Sequence, residues 1–139
     1  MHQYDTLLIA CGSAETRKML REILQENYNL LEASNSQQTI LLLEQNIQCI
    51  AAVILDISDP ASVNQQLMMA PDSVALLTQV PIIVLTADGD EETLDIAFSY
   101  GAADAIPLRH NAYSLTRRIE NVIQLRLHKL QLELMVEAG

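Results

Sequence analysis

The feature that most constrains this chain is a set of five short apolar runs separated by stretches of helical periodicity. The runs are Thr6-Leu-Leu-Ile-Ala10, Leu30-Leu31, Ala51-Ala-Val-Ile-Leu55, Pro81-Ile-Ile-Val-Leu85 and Ala103 to Ile106. The third and fourth are unbroken, as expected when helices cover both faces of a parallel strand. Helix-start residues lie between them: Ser13 ahead of Ala14 to Gln25, Ser34 with Gln37, and Asp88 with Glu91. The last helix is expected to start near Asn111. Strand and helix alternating five times predict right-handed crossovers. The fold class is therefore α/β, a doubly wound five-stranded parallel sheet with helices on both faces.

With 139 residues the chain can bury one core, so residues 1–139 are read as a single domain. Half of the residues are hydrophobic and 19% are charged, enough burial to offset chain entropy. A net charge of -10, with only eight Lys and Arg, argues against direct nucleic-acid contact, which relies on clustered cations. The longest apolar run, Cys49 to Leu55, is too short to span a bilayer, and residues 1–5 lack the basic start of a secretory signal. No membrane association is expected. Cys11 and Cys49 sit in apolar surroundings without metal-ligand or disulfide spacing, which fits reduced thiols and a cytoplasmic location. His2, His110 and His128 show no partner spacing for a metal.

In doubly wound sheets, ligands and chemistry gather beyond the carboxyl ends of the strands, where strand order reverses. Here those ends lead to Cys11-Gly12-Ser13, Asp56, Thr86 and Leu108. Each has an ordinary structural reading: Asp56 as a polar strand end, Thr86 as a β-branched strand residue, and Cys11 as a small buried hydrophobe. Near a helix N-terminus Cys11 could instead be a reactive thiolate.

Four stretches together resemble the receiver domains of response regulators in two-component signalling, and the resemblance covers nearly the whole chain. Ala51-Ala-Val-Ile-Leu-Asp56-Ile-Ser-Asp-Pro60 is similar to the third strand with its phosphoacceptor aspartate, the short turn and the proline. Pro81-Ile-Ile-Val-Leu-Thr86-Ala87 is similar to the fourth strand with its switch hydroxyl. Gly101-Ala-Ala-Asp104 resembles the turn before the fifth strand, and the spacing from Asp56 to Thr86 to Gly101 suits the family. The resemblance implies a flavodoxin-like fold of receiver type. It also implies a histidine kinase or phosphotransfer protein as partner, and an output domain in the same full-length chain.

The family's chemistry places developing phosphoryl charge against a divalent cation and fixed positive groups. An acidic pair after the first strand normally holds the magnesium ion, and a lysine ends the fifth strand. At the matching positions this chain has Cys11, Gly12 and Leu108. A thiol is a poor ligand for a hard cation, so no cofactor is expected and magnesium is disfavoured. Arg109 follows Leu108, but neighbouring strand residues point to opposite faces. Ala105 stands where the family often has an aromatic. Asp56 and Thr86 are thus expected to be a vestigial phosphoacceptor and switch hydroxyl in a degenerate site, a pseudo-receiver without enzymatic activity. Asp59, Asp88 and Asp90 are read as turn and cap residues rather than replacement ligands.

An alternative reading is a flavodoxin-like small-ligand binder or enzyme that cradles phosphate on Cys11-Gly-Ser-Ala-Glu-Thr16 at a helix N-terminus. Against it stand Glu15, which would face the anion, and the scarcity of aromatics.

Pro71 interrupts the stretch from Ala61 to Gln79, so the third helix is expected to break or kink, with Met68-Met69 as core filling. The final helix, Ala112 to Ala138, would run on the order of 40 Å, while strands of usual length reach about 20 Å. It is expected to overhang the domain over residues 123–138. Leu115, Ile119 and Val122 can face the sheet; Ile123, Leu127, Leu130 and Leu134 continue at the alternating spacing of a coiled-coil seam. The expected use is a homodimer or a helical linker into an output domain.

Overall fold

The computed structural model describes residues 4–58, 77–87, 91–108 and 111–138. Five parallel strands form one sheet: β1 (Thr6–Ala10), β2 (Asn29–Ala33), β3 (Ile50–Asp56), β4 (Ile82–Thr86) and β5 (Asp104–Pro107), in the spatial order β2-β1-β3-β4-β5. The helices among the described residues are α1 (Ala14–Leu24), α2 (Ser36–Asn46), α3 (Glu91–Ser99) and α4 (Ala112–Ala138). This is the doubly wound sheet expected from the apolar runs.

Every residue of β1, β3 and β4 is buried because helices cover both sides of the central strands. Alternating side chains feed two cores. Leu7, Ile9, Ile54, Ile83 and Leu85 pack with Leu20 and Leu24 of α1 and Leu115, Ile119 and Ile123 of α4. On the opposite face Leu8, Val53, Leu55 and Val84 pack with Leu43 of α2 and Ala97 of α3.

The local signals explain the boundaries. Ser13 Oγ accepts the Thr16 N–H at 3.2 Å and caps α1, and Asn111 Oδ1 accepts the Ser114 N–H at 2.8 Å at the start of α4. At α2 the cap lies one residue later than the expected Ser34 with Gln37. Asn35 Oδ1 accepts the Gln38 N–H at 2.8 Å, while Ser34 donates its own N–H and hydroxyl to Gln38 Oε1. Both residue types cap well, and the longer Asn side chain reaches the Gln38 N–H. Gly101, with φ at 93°, ends α3: its N–H bonds to the Phe98 carbonyl and that of Ala102 to the Ala97 carbonyl. That left-handed turn explains the glycine before β5.

The C-terminal helix departs from its sequence reading. Ile123 was assigned to the overhanging seam, but it is only 4% exposed and belongs to the α1/α4 core, against which Leu127 also packs. Core spacing and seam spacing differ too little over two turns to be separated by periodicity. Arg126 extends the attachment: its guanidinium donates to the carbonyls of Ile50 (2.7 Å), Ala51 (3.0 Å) and Gln79 (3.1 Å) and lies 4.3 Å from the Tyr4 ring centroid. The exposed apolar residues of the distal helix are Leu125, Leu132, Leu134, Met135 and Val136, and Leu130 is half-buried. The break expected at Pro71, the Met68-Met69 pair and the Asp88 cap lie outside the described residues.

Candidate functional site at the carboxyl edge of the sheet

Strand order reverses beside β1, since β2 lies to one side of it and β3 to the other. The register sets Ala10 opposite Leu55, so the next residues, Cys11 and Asp56, meet at the mouth of that crevice. Cys11 is 1% exposed and its Sγ lies 3.0 Å from Asp56 Oδ2. The other carboxylate oxygen, Oδ1, accepts the Ser58 N–H at 2.9 Å. Asp56 is 7% exposed, so these donors act where water is scarce.

Burial, then the hydrogen bond to Asp56 and its charge, push the Cys11 thiol from 9.0 up to about 12. At neutral pH the sulfur therefore keeps its proton and donates it to the carboxylate. Of the two readings of Cys11, the buried one fits and the reactive thiolate does not: the residue is a buried, protonated donor. Its carbonyl oxygen accepts from Arg17 Nη1 at 2.6 Å, which brings a cation of α1 beside the site. Arg21, one turn later, forks onto Glu32 at 2.7 Å through two nitrogens and holds that carboxyl below its usual range.

Thr86 ends β4 one position beyond Leu85, the partner of Asp56. Its hydroxyl is fully buried and has no hydrogen-bond partner among the described residues. Leu108 N–H donates to the Thr86 carbonyl at 2.9 Å, continuing the β4–β5 ladder by one residue, and the Leu108 side chain joins the α1/α4 core. The position that the resemblance assigns to a lysine thus presents an alkyl group. Gly12 is in no strained conformation, and a Cβ built there would meet only the Ser34 carbonyl at 3.8 Å. Among the described residues no group of three or more His, Cys, Asp or Glu is placed to hold a metal ion.

The structure therefore brings Cys11 and Asp56 together at the sheet edge, with Thr86 and Leu108 on the next strands. Asp59, Asp88, Asp90, Arg109, His2 and His110 lie outside the described residues. In the loop of the alternative reading, the Ser13 hydroxyl is engaged by Thr16 N–H and Glu15 sits in the exposed first turn of α1. Sequence reasoning missed Arg17 and Arg126. The pairing of Arg17 and Arg21 with Glu32 has a signal, an i, i+4 pair on one helix face, whereas Arg126 binds backbone carbonyls and leaves none.

The likeness to known proteins extends over most of the chain. It is 27% identical over 136 residues to the transcriptional regulatory protein CpxR of Klebsiella pneumoniae subsp. pneumoniae, covering 97% of this chain and 56% of that protein. It is 25% identical over 123 residues to histidine kinase P4 of Formosa agariphila, covering 88% of this chain and 9% of the kinase. The chain thus spans little more than half of the first relative and a small part of the second. The fold matches the crystal structure of a CheY-like response regulator receiver domain protein from Methanospirillum hungatei JF-1. The TM-score is 0.77 at 17% identity, over 91% of this chain and 98% of that one. No family model matches. A sheet of this order, an aspartate at the end of β3 and these matches agree: the chain has the fold of CheY-like receiver domains, and its relatives include response regulators of two-component systems.

Proposed function

We propose that this receiver carries information through protein contacts to an output domain, with Asp56 held in a metal-free hydrogen-bonded arrangement instead of cycling through magnesium-dependent phosphorylation. The observation that carries this reading is the bond from Cys11 Sγ to Asp56 Oδ2 at 3.0 Å. The thiol stands where a magnesium-holding carboxylate is expected, and a protonated sulfur is not a ligand for a hard oxygen-seeking cation. With Leu108 in place of a lysine, no fixed cation from β5 would balance a phosphoryl group there. One carboxylate and a thiol do not fit magnesium.

Upstream, a histidine kinase or phosphotransfer protein is the proposed partner; downstream, an output domain in a longer chain. A homodimer through α4 is the proposed assembly. The cytoplasm is the proposed location; no helix among the described residues is long and apolar enough to cross a membrane. With a net charge of -10 the domain is not proposed to touch nucleic acid itself.

The test adds beryllium fluoride with magnesium, or a small phosphodonor with magnesium, and reads melting temperature, intact mass and oligomeric state. No change in any of them is expected. A mass adduct on Asp56, or stabilisation that requires magnesium, overturns the reading. A second arm uses the double variant Cys11→Asp with Gly12→Asp; a Cβ at Gly12 makes only an ordinary contact, with the Ser34 carbonyl at 3.8 Å. It is expected to gain magnesium-dependent stabilisation that the parent lacks, because two carboxylates beside Asp56 repel one another until a cation joins them.

A further inference from the structure

Beside Leu108 a partly open apolar pocket of about 220 Å³ lies between α1 and α4. Met19 and Ile23 of α1, Leu85 at the end of β4, Pro107 and Leu108 at the end of β5, and Leu115 of α4 line it, with Ala112 at the start of α4. Leu85 and Leu115 are buried and form its floor; Met19, at 38% exposure, stands at the rim. All seven are apolar residues, and none offers a charged or hydroxyl group.

We propose that this cavity is a binding site for a small uncharged apolar molecule, of the size of a single aromatic or aliphatic ring. Size and chemistry select that occupant. An apolar cavity of roughly 150 Å³ already stays dry and accepts benzene or xenon, because water entering it would find no polar partners. A peptide segment or a nucleotide is too large for this volume and would bring polar groups that none of the seven lining residues satisfies. Leu108 supplies part of the apolar wall, on the strand end where a lysine would place an ammonium group. Met19, unbranched and flexible, can swing at the rim to admit a ligand. Because the walls come from α1, α4 and two strand ends, an occupant adds contacts between helices that otherwise meet along one seam, and it stabilises their docking by mass action.

The site does not depend on the state of Asp56, so the fate of this proposal is separate from that of the preceding one. The test titrates the folded domain with benzene and follows ¹³C-methyl resonances. Saturable shifts are expected at Met19, Ile23, Leu108 and Leu115, with little change at Leu132 and Leu134 on the far end of α4, together with a rise in melting temperature. Benzoate, of similar size but charged, is expected to produce neither. Ala112→Leu, at an exposed helix start where a larger side chain does not threaten folding, fills the space and is expected to abolish the shifts while the variant keeps its melting temperature without benzene. Leu108→Lys is expected to weaken binding at least tenfold. Non-saturating shifts, shifts spread equally over α4, or undiminished binding in Ala112→Leu would overturn the proposal.

Discussion

At the scale of single residues, the Cys11–Asp56 contact ties stability to alkaline pH. The folded-state thiol pKa lies above its ordinary value of 9.0, at about 12. The native state therefore binds more protons than the unfolded state between those values, and stability falls as pH rises through that window. Below pH 9 the contribution is fully present. Urea melts at pH 8 and at pH 10.5 are expected to show a loss at the higher pH that shrinks in Cys11→Ala; an equal loss in both proteins would detach the effect from Cys11. The second residue is Thr86, whose buried hydroxyl lacks a partner among the described residues. Desolvating such a group without a bond is costly, so Thr86→Val, which keeps the shape, is expected to stabilise by about 1 kcal/mol. A destabilised variant in denaturant unfolding would mean that the hydroxyl is bonded in solution.

At the scale of elements, α4 is fastened at two points along its length. Arg118 forks onto Asp104 at the start of β5, and Arg126 reaches the carbonyls of Ile50, Ala51 and Gln79. Arg126→Met keeps most of the stem but leaves three carbonyls without this donor, and it is expected to cost about 2–3 kcal/mol in denaturant unfolding. Arg126→Lys is expected to recover only part of that, because an ammonium group cannot span all three oxygens as the planar fork does. A cost within experimental error for Arg126→Met would show that water replaces the bonds. The same helix marks where the sequence was readable. β1 coincides with its apolar run, Thr6 to Ala10, and Ser13 and Asn111 cap their helices as their residue types require. Those features are local, set by side chains within a few positions. Ile123 was misassigned because burial depends on how far α4 lies along the sheet, which a spacing pattern does not contain. The place of the candidate site was legible from topology, since the strand ends lead to Cys11, Asp56, Thr86 and Leu108, but its contact was not: Cys11 and Asp56 are 45 positions apart, and nothing local predicts that a thiol proton reaches that carboxylate.

At the scale of the whole molecule, burial revises which part of α4 can meet another copy. Leu125 and Leu132 are spaced by seven residues, with Met135 three further on, and all three are exposed. If the proposed homodimer forms through this face, Leu132→Lys is expected to give a folded monomer in sedimentation, with an unchanged melting profile at low concentration. Ile123→Lys is expected to unfold the domain instead, since it places a charge in the α1/α4 core. A dimer that survives Leu125→Lys with Leu132→Lys would place the contact elsewhere. Beyond Leu127, the last residue packed on the core, the helix continues to Ala138, about 16 Å at the standard rise. A stiff rod pivoting at its base turns small angles into larger displacements: a tilt of about 5° at Leu127 sweeps the far end by about 1.4 Å. Sub-ångström adjustments where α1, β5 and α4 meet thus arrive at the distal tip magnified, so the domain can act as the short arm of a mechanical amplifier whatever first moves it.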